Sequence, residues 1–312
     1  MRIQKRKNIG FMVTVFISAL LYAAESADTF SLEIQPLFQY RKTTIGEYVF
    51  TKEGETTTLL SDLNWSLQNI YLAGSAVSYS KNRFTAHLSV LLGIPSVSGT
   101  MSDSDFYTSS PEPSLFSYHD ASIKALLDVN LNAGYEFVND EKVSITGYTG
   151  FQYNETGATS YNGYFINYLY EIPVIQRMSG QMISYTQYLL FTWLGSVWKI
   201  RPSDSVLVTF SAAYSPFCFA KGWDIHHLRS VEFLDSMMSF YALKGGISLS
   251  LFVTKCLSLG IGVEGLYLPL CIGVTGMKEE NGNAFFEQSG YAGGTRLSEA
   301  RFSASVQYKF SK

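Results

Sequence analysis

Ten stretches of the chain alternate apolar and polar residues, and the connections between them alternate between short and long. In the first stretch, Phe30, Leu32 and Ile34 are interleaved with polar residues. The last stretch, Arg301 to Phe310, has one aromatic and aliphatic face and one polar face. A period of two residues predicts a β-strand with two different faces. The other candidates lie at about residues 62–80, 82–95, 119–138, 142–153, 184–200, 203–219, 239–254 and 256–272.

The order of the connections predicts the topology. Short polar segments such as Ser80 to Asn82 and Asn139 to Glu141 are typical of hairpin turns. Between the hairpins lie long connections rich in Gly, Ser, Thr, Asn and acids, near residues 41–60, 96–118, 154–182, 220–238 and 273–297. Outer-membrane barrels place short turns on the periplasmic side and long loops outside. The sequence therefore predicts an all-β fold, a ten-stranded antiparallel up-and-down transmembrane β-barrel with long extracellular loops.

The first 24 residues are predicted to be a secretory signal peptide. Four basic residues precede an apolar run from Ile9 to Leu21, and small residues follow, so cleavage is expected between positions 23 and 27. The run is too short to span a bilayer as a helix, although an uncleaved anchor is the alternative. Residues 25–312 are predicted to form a single outer-membrane barrel domain.

Charge and composition indicate lipid, and not nucleic acid, as a partner. Loss of the leader removes four positive and no negative charges, which takes the formal net charge from -3 to -7. An acidic exported protein is a poor candidate for nucleic-acid binding. The 21 Tyr and 22 Phe with 16% charged residues are unusual for a soluble domain. They suit strands that face outer-membrane lipid.

Cysteine and histidine usage indicates neither a disulfide framework nor a metal centre. Cys218, Cys256 and Cys271 lie within apolar alternating stretches, and we interpret all three as packing residues, with a disulfide possible but not indicated. The chain has four His, and no Cys/His spacing resembles a zinc site. We therefore expect no metal and no cofactor.

Two pairs of titratable residues are the candidate chemistry. Asp224 and His226 are two positions apart in a segment predicted to be a loop, Gly222 to Arg229. In extended chain such residues project to the same side, so the carboxylate can hold the ring and stabilise its protonated form. Asp103 and Asp105 have the same spacing in another long connection, where two acids can orient a water molecule. Both connections belong to the outer rim, so the two pairs are predicted to share the extracellular mouth.

Each pair also has a less specific interpretation. Asp103 and Asp105 could belong to a solvated acidic loop, or help to hold Ca²⁺, although the Gly and distal Glu of the familiar calcium loop are missing. His227 is the alternative working ring, but in extended chain its side chain points to the opposite side. His119 and Asp120 form a further pair, which we interpret as a rim contact.

The motifs and the strand pattern together resemble one family, the omptins, which are ten-stranded outer-membrane aspartyl-type proteases. The resemblance extends from about residue 30 to Phe310. Leu60 to Trp65 resembles the family's Ser-x-Leu-x-Trp stretch, Gly99 to Phe106 its Asp-x-Asp loop, and Gly222 to His226 its Asp-x-His loop.

The resemblance implies an endopeptidase that acts without a covalent intermediate. His226, held by Asp224, would take a proton from a water molecule that Asp103 also positions, while Asp105 completes the acid couple. The substrate would be a peptide or protein, and catalysis would take place at the extracellular mouth.

The resemblance also implies a substrate pocket, from which this chain departs. Omptins use acids in the pocket to favour cleavage next to basic residues, and Glu47 looks like one of these acids. The second acid would fall at Gly222, which has no side chain. We therefore expect a broader or shifted specificity. Phe151 to Glu155 does not reproduce the family's lipopolysaccharide contacts, so a dependence on lipopolysaccharide is not carried over.

Two other classes of function fit parts of the sequence. A catalytically inert barrel that acts as an adhesin or small channel would need the same lipid-facing aromatics and polar interior. A soluble exported β-sandwich lectin would also be all-β, but many of the predicted strands are longer than the strands of such folds.

Overall fold

The computed structural model describes residues 30–54, 56–108, 111–279 and 285–311. Within these ranges the regular elements are strands: β1 Ser31–Glu53, β2 Thr56–Lys81, β3 Phe84–Ile94, β4 Ser96–Asp105, β5 Leu115–Asn139, β6 Val143–Asn167, β7 Val174–Ser203, β8 Val206–His226, β9 Val231–Ser239, β10 Ala242–Phe252, β11 Leu257–Glu279, β12 Phe286–Glu287 and β13 Tyr291–Ser311. In the described ranges no helix is long and apolar enough to cross a membrane. The predicted signal peptide, residues 1–24, lies outside the described residues.

The strands close into an antiparallel ring. β1 pairs with both β13 and β2, which joins the first strand to the last. β3 and β4 both pair with β2 and β5, so together they make one wall strand. β9 and β10 likewise share the partners β8 and β11, and β12 is a two-residue strand on β11. The wall therefore consists of ten strands, and the predicted ten-stranded barrel is confirmed.

The strands are longer than the sequence pattern indicated. Residues 154–182 were predicted to be a long loop, but β6 and β7 run through most of that segment and reverse between Asn167 and Val174. The prediction was wrong because it relied on apolar alternation. A backbone ladder needs no apolar side chains. Where a strand leaves the bilayer, both of its faces can be polar and the alternation fades.

The upper part of the barrel projects beyond the membrane. Lower on the wall, outward-facing apolar side chains such as Leu194, Trp198 and Ile261 are exposed, as lipid-facing residues should be. The apolar band of such barrels is about 25 Å tall. Asp224 follows the first residue of β8 by about 18 positions, which at about 3.3 Å per residue and a tilt of about 40° places it about 45 Å from the turn. The extracellular ends of the strands are thus well outside the bilayer.

A network of buried charges crosses the interior below the mouth. Arg301 Nη1 lies 3.3 Å from Asp128 Oδ2 and 3.1 Å from Glu264 Oε1, and Arg301 also pairs with Glu299. Arg41 pairs with Asp128 as well, and its Nη1 lies 3.5 Å from Glu299 Oε1. Each of the two arginines thus faces more than one carboxylate, which is how buried charges are tolerated.

Aromatic and amide side chains extend this network. Gln152 Oε1 accepts hydrogen bonds from Trp193 Nε1 at 3.0 Å and from Lys244 Nζ at 3.1 Å. The Lys244 ammonium lies 4.6 Å from the centre of the Trp193 ring. These contacts connect side chains from different strands across the barrel interior below the mouth.

The cysteines follow the packing interpretation in part. Cys218 and Cys271 are buried and free, as expected of packing residues. Cys256 is also free, but it is exposed in the turn between β10 and β11, so that interpretation was wrong for this residue. The apolar alternation around it ends at the turn, where no barrel interior remains for its side chain.

Candidate active site

The two acids of the Asp-x-Asp motif lie at the extracellular end of β4. They were predicted to be in a loop, but both are in the strand, and Asp105 is its last residue. Asp103 is opposite Leu63 and Asp105 is opposite Ser61 on β2. Ser61 Oγ donates a hydrogen bond to Asp103 Oδ1 at 3.1 Å. The ladder between β4 and β2 thus fixes both acids on the same face of the wall.

The Asp-x-His pair ends β8 and was likewise predicted in a loop. β8 continues through His226, where it pairs with both β7 and β9. The i, i+2 spacing places both side chains on one face, and His226 Nε2 lies 2.5 Å from Asp224 Oδ2. Both residues are buried, at 9% and 3% exposure. The ring of Phe233 packs edge-on against the imidazole, with 5.3 Å between ring centres.

Arg229 contacts the second ring nitrogen of His226, Nδ1. Its guanidinium donates to Nδ1 of His226. Because a guanidinium can only donate and a carboxylate accepts, the arrangement assigns the ring proton to Nε2 and the free electron pair to Nδ1. The Asp-x-His motif does not include Arg229. This residue lies three positions after His226, in the turn between β8 and β9.

The charges near the Asp224–His226 pair affect the pKa of both acids of the Asp-x-Asp motif. Burial raises the pKa of Asp103 to about 7, and the negative charge of Asp105 adds to the rise, whereas His226, Ser61 and Arg229 oppose it. Burial also raises the pKa of Asp105, against the hydrogen bond from Ser61 and the positive charge of Arg229. The same guanidinium therefore contacts His226 and lowers the pKa of both acids, so the two pairs lie close enough to interact at the mouth.

Glu47 lies inside the barrel beside this space. It belongs to β1, opposite Leu63 of β2 and Thr295 of β13. The side chain is 3% exposed, and its Oε2 atom has no hydrogen-bond partner among the described residues. Burial raises the pKa of Glu47 well above its usual range, and the negative charges of Asp224 and Asp235 raise it further.

Asp235 is a site residue that sequence reasoning missed. It lies on β9, directly opposite Gly222 on β8 and Thr275 on β11. Burial raises its pKa to about 7, the hydrogen bond from Thr275 opposes that rise, and the charge of Asp224 adds to it. No motif marks Asp235, and its place becomes visible only when the register between β8 and β9 is known.

Gly293 makes room for the Asp235 carboxyl, and Gly222 lies beside it. A Cβ atom on Gly222 would lie 3.7 Å from Cβ of Asp235 and 3.2 Å from the ring of Tyr185. A Cβ atom on Gly293 would lie 2.4 Å from Cγ of Asp235, which is closer than real atoms approach. The carboxyl of Asp235 thus occupies space that a side chain at Gly293 on β13 would fill.

The described residues contain no group of three or more His, Cys, Asp and Glu placed to hold a metal ion. Five carboxyl groups, one imidazole and one guanidinium lie at the mouth, and burial raises the pKa of two of the carboxyls, Asp103 and Asp235, to about 7.

The fold and the mouth define the class of protein, an outer-membrane β-barrel whose extramembrane rim carries a cluster of titratable groups. The chain belongs to the omptin family, because the family model matches residues 40–310. Family membership places it among the proteases of the bacterial outer membrane. A search of curated protein sequences found no match.

The barrel fold is shared with the solved structure of an outer-membrane protease. The outer membrane protease OmpT from Escherichia coli superposes with a TM-score of 0.81 at 16% sequence identity, covering 91% of this chain and 98% of that one. The translocator domain of the autotransporter NalP from Neisseria meningitidis matches with a TM-score of 0.36 and 11% identity, covering 96% of each chain.

Proposed function

We propose that this protein is an aspartyl-type endopeptidase in which a water molecule is activated between Asp103 and His226. The observation that carries the proposal is the contact between His226 Nε2 and Asp224 Oδ2 at 2.5 Å. This contact leaves the basic electron pair on Nδ1, next to a guanidinium that also acts on the acid pair. A base, its orienting carboxylate and a water-binding acid are then in one place.

In the proposed reaction, water replaces the Arg229 guanidinium at Nδ1 of His226. The ionised Asp103 accepts one hydrogen bond from this water and His226 removes the other proton as the water oxygen attacks the scissile carbonyl carbon. Asp224 stabilises the imidazolium that forms. His226 then returns the proton to the leaving amine nitrogen and the C–N bond breaks. The products are a carboxylic acid and an amine, and no bond to the enzyme forms.

Arg229 and Asp105 have supporting roles in this proposal. Displaced from Nδ1, the guanidinium stays beside Asp105, whose negative charge it already offsets. Asp105 sets the proton affinity of Asp103, because the two carboxyls cannot both ionise without repulsion. Without substrate, the Arg229 guanidinium occupies Nδ1 of His226, and it is displaced when a water molecule and a peptide enter together.

Hydrolysis of fluorogenic peptides by the refolded protein in detergent micelles tests the proposal. His226→Ala should lower kcat by about 10²- to 10⁴-fold, the usual contribution of a positioned general base. His227→Ala is the matched control, because this neighbouring ring bonds Gln181 and Ser184 instead of the acids. Equal activity of the His226→Ala variant and the parent protein would refute the assignment. Parallel assays with and without lipopolysaccharide show whether the lipid is required.

A further inference from the structure

The extracellular rim of the barrel has a step where β7 continues past β8. β8 ends at His226, which is opposite Ile183 on β7. β7 continues beyond this pair to Val174, and over that segment it pairs with β6. No described strand pairs with the other side of β7 above Ile183. Within the described part of the chain, residues from Val174 to Gln181 therefore form a free strand edge.

The free edge begins beside the Asp224–His226 pair. The amide of His227 donates a hydrogen bond to the carbonyl oxygen of Met182 at 2.9 Å, where the contact between β7 and the end of β8 stops. One position further along β7, Gln181 Nε2 lies 2.6 Å from Nε2 of His227. A chain placed along the free edge, in the position that a longer β8 would occupy, would therefore lead down to the imidazole of His226.

The hairpin that carries the edge is supported from its other side. β6 pairs with β7 without a register shift from Gly163 opposite Met178 to Asn167 opposite Val174. β5 in turn pairs with β6 up to Leu115, which is also opposite Asn167. Closer to the mouth the register between β6 and β7 is irregular. The regular segment Val174 to Met178 is thus held as a strand before any partner binds.

The side chains of this segment do little to protect the edge. Proteins commonly protect free strand edges with charged residues, prolines or bulges. Val174 and Ile175 are apolar and are 49% and 68% exposed, and Arg177 is the one charged residue from Val174 to Met178. Free N–H and C=O groups beside β-branched residues are a template for a further strand. Strand addition is a recurring mode of peptide recognition, in which main-chain hydrogen bonds supply the affinity.

We propose that an extended segment of the polypeptide substrate adds as a strand to the free edge of β7, from Val174 to Met178, and continues into the mouth beside His226. A second copy of the chain is a poorer occupant, because the space beside the edge lies above the protein's own turn between β8 and β9. This inference rests on the proposed function. It specifies the substrates as chains with an unfolded or extended segment, recognised through the backbone.

Fluorogenic peptides that share one cleavage core and differ in length test the edge. Met178 is five positions from Ile183 on β7, and the regular segment from Val174 to Met178 is five residues long. About ten substrate residues on one side of the cut therefore reach the end of the edge. Extension of the core to this length on that side should raise kcat/KM by about 10-fold, and extension on the other side should not. No gain on either side would overturn the proposal.

Methylation of the peptide backbone shows whether main-chain hydrogen bonds cause the gain. An added strand offers every second amide to its neighbour. Two extended peptides of the same sequence, N-methylated at either the odd or the even positions of the extension, should therefore differ. One should lose the gain in kcat/KM and the other should keep most of it. The same kcat/KM for both peptides would overturn the proposal.

Ile175→Pro changes the edge itself. Proline lacks a backbone donor and its ring obstructs a neighbouring strand, so the ratio of kcat/KM for the extended peptide to that for the core peptide should fall by about 10-fold. Ile172→Pro is the matched control, because Ile172 is also exposed but lies in the turn between β6 and β7. An unchanged ratio in Ile175→Pro would overturn the proposal. If Ile175→Pro fails to fold, the methylated peptides still test the edge.

Binding to an inactive variant separates this inference from the catalytic proposal. Isothermal titration of the core and extended peptides into His226→Ala protein measures recognition without cleavage. The extended peptide should bind about 10-fold more tightly. Equal binding of the two peptides would overturn the edge proposal even if the parent protein hydrolyses both. Tighter binding of the extended peptide without hydrolysis by the parent would support the edge and refute the catalytic proposal.

Discussion

His226 presents Nε2 to Asp224 at 2.5 Å and Nδ1 to the guanidinium of Arg229, so both ring nitrogens have defined partners. The tautomer of a histidine is set by the partner of each nitrogen. In this chain the two partners leave the basic electron pair on Nδ1, against the guanidinium of Arg229. The contact between His226 and Asp224 should therefore matter as much for catalysis as the ring itself.

Asp224→Asn tests that contact. The amide keeps the shape of the carboxylate but cannot stabilise an imidazolium by charge, so we expect kcat to fall by about 10²-fold or more. Asp120→Asn, a change at an exposed position outside the cluster, should leave kcat unchanged. Peptide hydrolysis at fixed pH is the measurement. Full activity of Asp224→Asn would show that the carboxylate does not support the ring.

The pH dependence of kcat/KM should respond to the neighbours of Asp103. Burial raises the pKa of Asp103 to about 7, and the negative charge of Asp105 adds to the rise. Asp105→Asn removes that charge and lowers the pKa of Asp103, so the acid limb of the profile should move to lower pH. Ser61→Ala removes a hydrogen bond that favours the ionised form, so it should move the limb to higher pH. Shifts in the same direction would contradict the assignment.

Stability should fall as the pH rises through the range in which Asp235 ionises. Burial raises its folded-state pKa from 3.8 to about 7, so its protonated form favours the folded state below pH about 4 and this contribution is lost as the pH approaches 7. Asp235→Asn cannot ionise and should be more stable than the parent at pH 8, by a few kcal/mol at most, but not at pH 4. Thermal unfolding in detergent at both pH values measures the difference. A gain of the same size at pH 4 would contradict it.

The sequence predicted the number of strands and the rim on which the motifs lie, because both follow from alternation and from the parity of connections. It did not predict the extent of the strands. The sequence of β9, Val231–Ser239, does not alternate regularly between apolar and polar residues, so this segment was predicted to be a loop. Because β9 was not predicted, its register with β8 was not known. The position of Asp235 opposite Gly222 therefore could not be predicted. The catalytic candidates needed no register, because a spacing of two residues fixes their common face.

Arg301 should be critical for the stability of the barrel interior. Its side chain is 5% exposed and contacts Asp128, Glu264 and Glu299. Arg301→Ala would leave Asp128 and Glu299 to share the single guanidinium of Arg41, and breaking buried ion pairs in this way typically costs about 3 to 5 kcal/mol.

Lys309→Ala is the matched control for the Arg301 variant. Lys309 is exposed and lies 3.9 Å from Glu33, and an exposed pair contributes about 0 to 1 kcal/mol. We therefore expect a much lower unfolding temperature for Arg301→Ala and almost none of this loss for Lys309→Ala, measured by thermal unfolding in the same detergent. Comparable losses in the two variants would mean that the buried network contributes no more than a surface pair.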